Sequence, residues 1–88
     1  MLNITIDNLL ECFEEAFEKK AKYIGIAVTV PNEEGLEVII NPSENFKTKL
    51  KYYCEAYNPD LTHKTAPLRI VGIAHGDRFG IIEQKLVG

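Results

Sequence analysis

His75-Gly76-Asp77-Arg78 is the stretch of this chain that sets an imidazole, a carboxylate and a guanidinium within four positions. At the end of a predicted strand such a trio could bind a phosphate or act as an acid and base. His63, beside Lys64 in the polar segment before that strand, would add positive charge for a phosphorylated small molecule such as a nucleotide signal if it reached the same end of the sheet. The same residues also read as a Gly-Asp turn with solvated side chains, and nothing in their spacing fixes the convergence of His63 with the other three.

Other routes to chemistry fail on residue type or spacing. Gly72, Gly76 and Gly80 recur every four positions but lack the Lys-Ser/Thr ending of a phosphate loop. Cys12, Cys54, His63 and His75 are scattered singly, which is not metal-ligand spacing. Both cysteines fall on the apolar side of predicted helices, as small buried hydrophobes of a reducing compartment rather than a disulfide or a nucleophile. Ser43 reads as a first-turn helix residue, and the adjacent pairs Glu14-Glu15 and Glu33-Glu34 splay apart rather than share a proton. No catalytic residue, metal or cofactor is therefore expected, and the chain reads as a non-enzymatic binding module. Tyr52 lies outside the predicted buried stripe. Beside Lys49 and Lys51 it could contact a protein or a nucleic acid, a solvated helix face being the plainer reading.

The elements that must position these residues follow from periodicity. From Thr5 to Lys22, Leu9, Leu10, Phe13, Ala16, Phe17 and Ala21 lie on one helical face. Thr5 or Asp7 can cap the start, and Glu15–Lys19 and Glu18–Lys22 are spaced to pair. From Tyr23 the period becomes two, with Ile24, Ile26, Val28 and Val30 on one side and Tyr23, Gly25, Ala27 and Thr29 on the other. Pro31 to Gly35 turns the chain into a second strand, Leu36 to Ile40. Asn41-Pro42-Ser43-Glu44 reads as a helix start, with Asn41 as cap and Pro42 at the first helical position. That helix buries Phe46, Leu50, Tyr53, Cys54 and Tyr57 and ends at Asn58-Pro59. A loop from Asp60 to Pro67 leads to a third strand, Leu68 to Ala74, then a turn from His75 to Gly80. Ile81 to Val87 fits a short helix or a return strand, with helix preferred.

The order α-β-β-α-β-(α) predicts a single two-layer α+β domain over residues 1–88, with both main helices on one face of a small, mostly antiparallel sheet in strand order 2-1-3. The other face, with Tyr23, Ala27, Thr29 and Ile39, would be partly covered and is a candidate docking surface. Eighty-eight residues at 45% hydrophobic and 26% charged suit one ordinary globular domain. A chain this short buries only roughly 60–65% of its unfolded surface, so a homodimer interface would help it and a deep active site is not expected. A net charge of −3 argues against a nucleic-acid partner. No run approaches the roughly 18 apolar residues of a membrane span, and the first residues lack a signal peptide's pattern, so a cytoplasmic protein is expected.

Leu9-Leu10-Glu11-Cys12-Phe13-Glu14-Glu15-Ala16-Phe17, Ile39-Ile40-Asn41-Pro42-Ser43-Glu44-Asn45 and Lys49-Leu50-Lys51-Tyr52-Tyr53 resemble small uncharacterised proteins encoded by phages and prophages of Gram-positive bacteria. The likeness covers most of the chain and includes no catalytic motif. It implies a context, a short accessory protein in the host cytoplasm of a kind whose characterised members are often inhibitors of host enzymes or defence systems. With no catalytic site and a partly uncovered sheet face, stoichiometric binding to a host protein is the expectation. The resemblance carries over no functional residue.

Overall fold

A computed structural model describes residues 4–30 and 35–87; the loop read at residues 31–34, with Glu33-Glu34, lies outside them. The first helix, α1, spans Ile6–Lys19. Thr5 stands at its N-cap and donates its N–H to Asn8 Oδ1 at 2.8 Å, which satisfies a backbone donor that no helical carbonyl can reach. Leu9, Phe13 and Ala16 are buried, while Leu10 and Phe17 lie at the exposed margin of the stripe. The helix stops three residues short of Lys22. Lys20 turns left-handed (φ 55°, ψ 42°), and the Ala21 N–H closes back on Ala16 O at 2.9 Å. Glu18 and Lys22 are thus no longer one helical turn apart, and the ion pair among the described residues is Lys51–Glu55, at 4.0 Å and exposed. A lysine Cβ is strained at this φ by about 1–2 kcal/mol, of which the extra chain entropy that glycine loses takes back about 0.5–1 kcal/mol. Lys20→Gly is therefore expected to stabilise the fold modestly, read as a higher urea midpoint.

Strands β1 (Tyr23–Thr29), β2 (Glu37–Pro42) and β3 (Arg69–Gly76) form one antiparallel sheet in the order β2-β1-β3. Ile26 sits opposite Ile39 on one side and Ile73 on the other. A β-bulge opposite Ala27/Val28 inserts one residue into β3, so that Ile70 and Ile73, three positions apart, both join the core. The same pairing turns Ile39 toward the Ile26 face, away from Tyr23 and Thr29, because paired residues share a face.

Helix α2 (Phe46–Ala56) begins later than Asn41-Pro42 suggests. The Ser43 N–H donates to Lys22 O at 2.8 Å, which keeps Asn41 and Pro42 extended as the end of β2, and a 3-10 turn, Ser43–Asn45, follows. Asn41 does not cap. Its side chain is buried and its Nδ2 donates to Ile24 O and Tyr53 Oη, both at 3.4 Å. α1 and α2 lie on the Ile24/Ile26/Val28 face and enclose a core that includes Phe13, Phe46, Tyr53 and Leu61. Leu61 holds a left-handed φ of 66° while fully buried. Cys54 is exposed rather than buried, since it lies one residue off the Phe46-Leu50-Tyr53-Tyr57 stripe, and both cysteines are free.

The chain's end folds as a helix, α3 (Phe79–Leu86), across the opposite sheet face. There β1 and β3 present Gly25, Ala27, Gly72, Ala74 and Gly76, and Ile82 and Leu86 press into the space that their missing side chains leave. α3 therefore covers the middle of the face that carries Tyr23 and Thr29, and both of those remain half-buried at its margins. No helix of the described residues is long and apolar enough to cross a membrane.

Candidate functional site

β3 separates the residues that a phosphate site would need. His75 lies near its end as a strand residue, whereas His63 is held beside its start, where Thr62 bridges Arg69. Eight strand residues at about 3.3 Å each put the two histidines roughly 20 Å apart, so His63 does not converge on His75, Asp77 and Arg78. His63 has a local role instead. Its Nδ1 accepts from the Thr65 and Ala66 N–H groups at 3.1 and 3.0 Å, and its ring meets Tyr57 edge-on at 4.9 Å. In the same loop Asp60 accepts from the Thr62 hydroxyl and N–H, which holds its carboxyl below the usual range.

Asp77 is also engaged in the fold. Its Oδ1 accepts the Lys22 N–H at 3.1 Å and ties the β3–α3 turn to the entry of β1. Arg78 is the exposed N-cap residue of α3 and makes no side-chain cap bond. The expected six-residue turn shrinks to Asp77-Arg78, because His75-Gly76 extends β3 and Phe79-Gly80 begins α3.

His75 faces α1, as its partner Ile24 does. It lines an open cleft of about 400 Å³ between α1 and the outer edge of β3, with Asn8, Glu11, Cys12, Glu15, Ile73 and Lys85. Burial pushes the Cys12 thiol up from 9.0 to about 11, and the Glu15 carboxylate adds to the shift. The thiol is therefore neutral at pH 7 and a poor nucleophile. A folded-state pKa above the unfolded value contributes stability that is lost as pH rises through that interval. The urea midpoint of the native chain is thus expected to fall between pH 9 and 11, and Cys12→Ala to remove the part of that fall due to the thiol. Tyr57, pushed up from 10.0 to about 12 by burial and by Tyr52 and Tyr53, extends the alkaline loss to higher pH.

Of the residues read as partner-binding, Tyr52 and Lys49 come together: Lys49 Nζ lies 5.8 Å from the Tyr52 ring centre, and that ring packs edge-on to Tyr53 and Tyr57. Lys51 points elsewhere, to Glu55. Tyr23 meets Phe79 edge-to-face at 4.7 Å, and Phe79 is 54% exposed. Sequence reasoning passed over Phe79, having read it as part of a turn. Among the described residues no group of three or more His, Cys, Asp or Glu could hold a metal ion. No protein-family model, curated protein or solved structure matches the chain.

Proposed function

We propose that this protein is a non-enzymatic accessory protein that works by stoichiometric binding to a host macromolecule, most simply a protein, in keeping with the phage-type resemblance. The observation that supports this reading is its set of exposed aromatic side chains held in fixed edge-to-face packing: Phe79 on Tyr23, Tyr52 on Tyr53 and Tyr57, and Phe17 on Phe46. Large rings whose rotamers are already set lose little entropy when a partner covers them, which is what binding anchors require. The alternative, a small-molecule binder using His63, His75, Asp77 and Arg78, loses support because those groups lie at two ends of β3 and Asp77 is occupied by the Lys22 amide.

Affinity capture from a Gram-positive host lysate at physiological salt, followed by size-exclusion chromatography of the complex, tests this. A single partner co-eluting in fixed stoichiometry is expected, and Phe79→Ala should weaken the complex while leaving the urea midpoint nearly unchanged. No co-eluting partner, together with a thermal shift by nucleotides of the size that saturating ligand produces, about 2.7 kcal/mol at 100 times Kd, would overturn it.

A further inference from the structure

We infer that the cleft between α1 and the outer edge of β3 is a docking groove for an extended, lysine- or arginine-bearing segment of the partner, which adds to the sheet as a fourth strand. This rests on the binding function proposed above and names the surface and the partner chemistry. The hydrogen-bond alternation fixes which backbone groups are available. The Ser43 N–H bonds to Lys22 O, so the even-numbered residues of β1 face β2 and the odd-numbered ones face β3. In β3, Ala74 and Gly76 then bond inward, while Ile73 and His75 turn their N–H and C=O groups outward into the cleft. One of these groups already attracts a cation: Lys85 Nζ reaches around from α3 and donates to His75 O at 2.9 Å. A lysine seated on an edge strand blocks unwanted pairing, and here it occupies the position that an incoming strand's N–H would take.

The wall opposite the edge has the complementary charge. Glu11 and Glu15 line the cleft, and they continue with Glu14 and Glu18 into an adjoining groove of about 250 Å³. These carboxylates stand three and four residues apart on one helix, an arrangement that costs helix stability through like-charge contact, and none is ion-paired among the described residues. The acidic wall thus stands beside a strand edge whose Ile73 N–H and C=O and His75 N–H turn outward, with Lys85 the cation that lines the cleft among the described residues. Strand addition supplies the backbone bonds, and alternate side chains of the added strand face α1. Cationic residues at every second position therefore meet Glu11 and Glu15.

The test uses three fluorescein-labelled octapeptides in fluorescence anisotropy with the intact protein: alternating Lys-Val, alternating Glu-Val, and Lys-Val with N-methyl groups on the pairing edge. The Lys-Val peptide should bind and shift the Ile73 and His75 amide signals in NMR spectra, and the other two should bind at least tenfold more weakly. Glu11→Lys with Glu15→Lys should weaken the Lys-Val peptide at least tenfold through like-charge repulsion. Lys85→Ala, which uncovers the His75 carbonyl, should tighten it. Equal binding of the N-methylated peptide, or unmoved Ile73 and His75 signals, would overturn strand addition. If the host partner is captured equally well by the Glu11→Lys, Glu15→Lys protein, the groove is not its docking site although the binding function stands; loss of capture in that variant supports both.

Discussion

Replacing Phe13 with alanine is expected to remove about 3–5 kcal/mol of folding free energy. The ring is fully buried at the centre of the α1–α2–sheet core, 5.9 Å and edge-on to Phe46 and 6.3 Å from Tyr53. Its removal leaves a cavity in the cluster that it shares with Phe46, Tyr53 and the sheet residues Ile24 and Ile26, and the cost grows with the part of that space the neighbours do not refill. At roughly 0.05–0.15 kcal/mol per residue a domain of this length has little to spare, so the variant should be largely unfolded at 37 °C and show a sharply lower urea midpoint at 25 °C. Phe13→Leu keeps most of the volume and should lose clearly less. A Phe13→Ala cost below about 1.5 kcal/mol, typical of a volume-conserving swap, would show that the core is loosely packed around this ring.

Much of this core is legible in the sequence because it is local. The spacing of Leu9, Phe13 and Ala16 declares a helix face, the alternation from Ile24 to Val28 declares a strand, and the strand order follows from short connections. What was missed depends on tertiary partners. Asn41 carries every local mark of a cap, but the sheet bond from Ser43 to Lys22 holds it in β2, and its amide serves the Ile24 carbonyl and the Tyr53 hydroxyl instead. The cleft was invisible for a similar reason, since nothing in the order of residues 11, 15, 75 and 85 announces that they share one groove. The docking of α3 did leave a signal: Gly25, Ala27, Gly72, Ala74 and Gly76 alternate along two strands, and a face stripped of side chains is one prepared for close approach.

That close approach makes Gly25 the most exacting position on the second face. A Cβ there would lie 2.2 Å from Ile82 Cγ2 and 3.1 Å from Leu86 Cδ1. Ile82 is fully buried and branched at Cβ, so its methyl group cannot swing clear without moving the helix. Gly25→Ala is therefore expected to cost about 1–3 kcal/mol by overpacking, and Ile82→Ala alone about 2–5 kcal/mol by leaving a cavity. Together they should cost less than their sum, because the new methyl refills part of the vacated space, with a coupling of about 0.5–3 kcal/mol in a double-mutant cycle. Gly72→Ala makes a useful contrast: its Cβ would meet Leu86 Cδ2 at 3.1 Å, the end of a side chain that can rotate away, so its cost should be smaller. Strict additivity of Gly25→Ala and Ile82→Ala would show that α3 does not rest on this contact. Where the coupling appears, it reaches the surface as well, since α3 carries both Phe79 against Tyr23 and Lys85 on the His75 carbonyl. Gly25→Ala should then expose the β3 edge and bind the Lys-Val peptide more tightly even as it folds less stably.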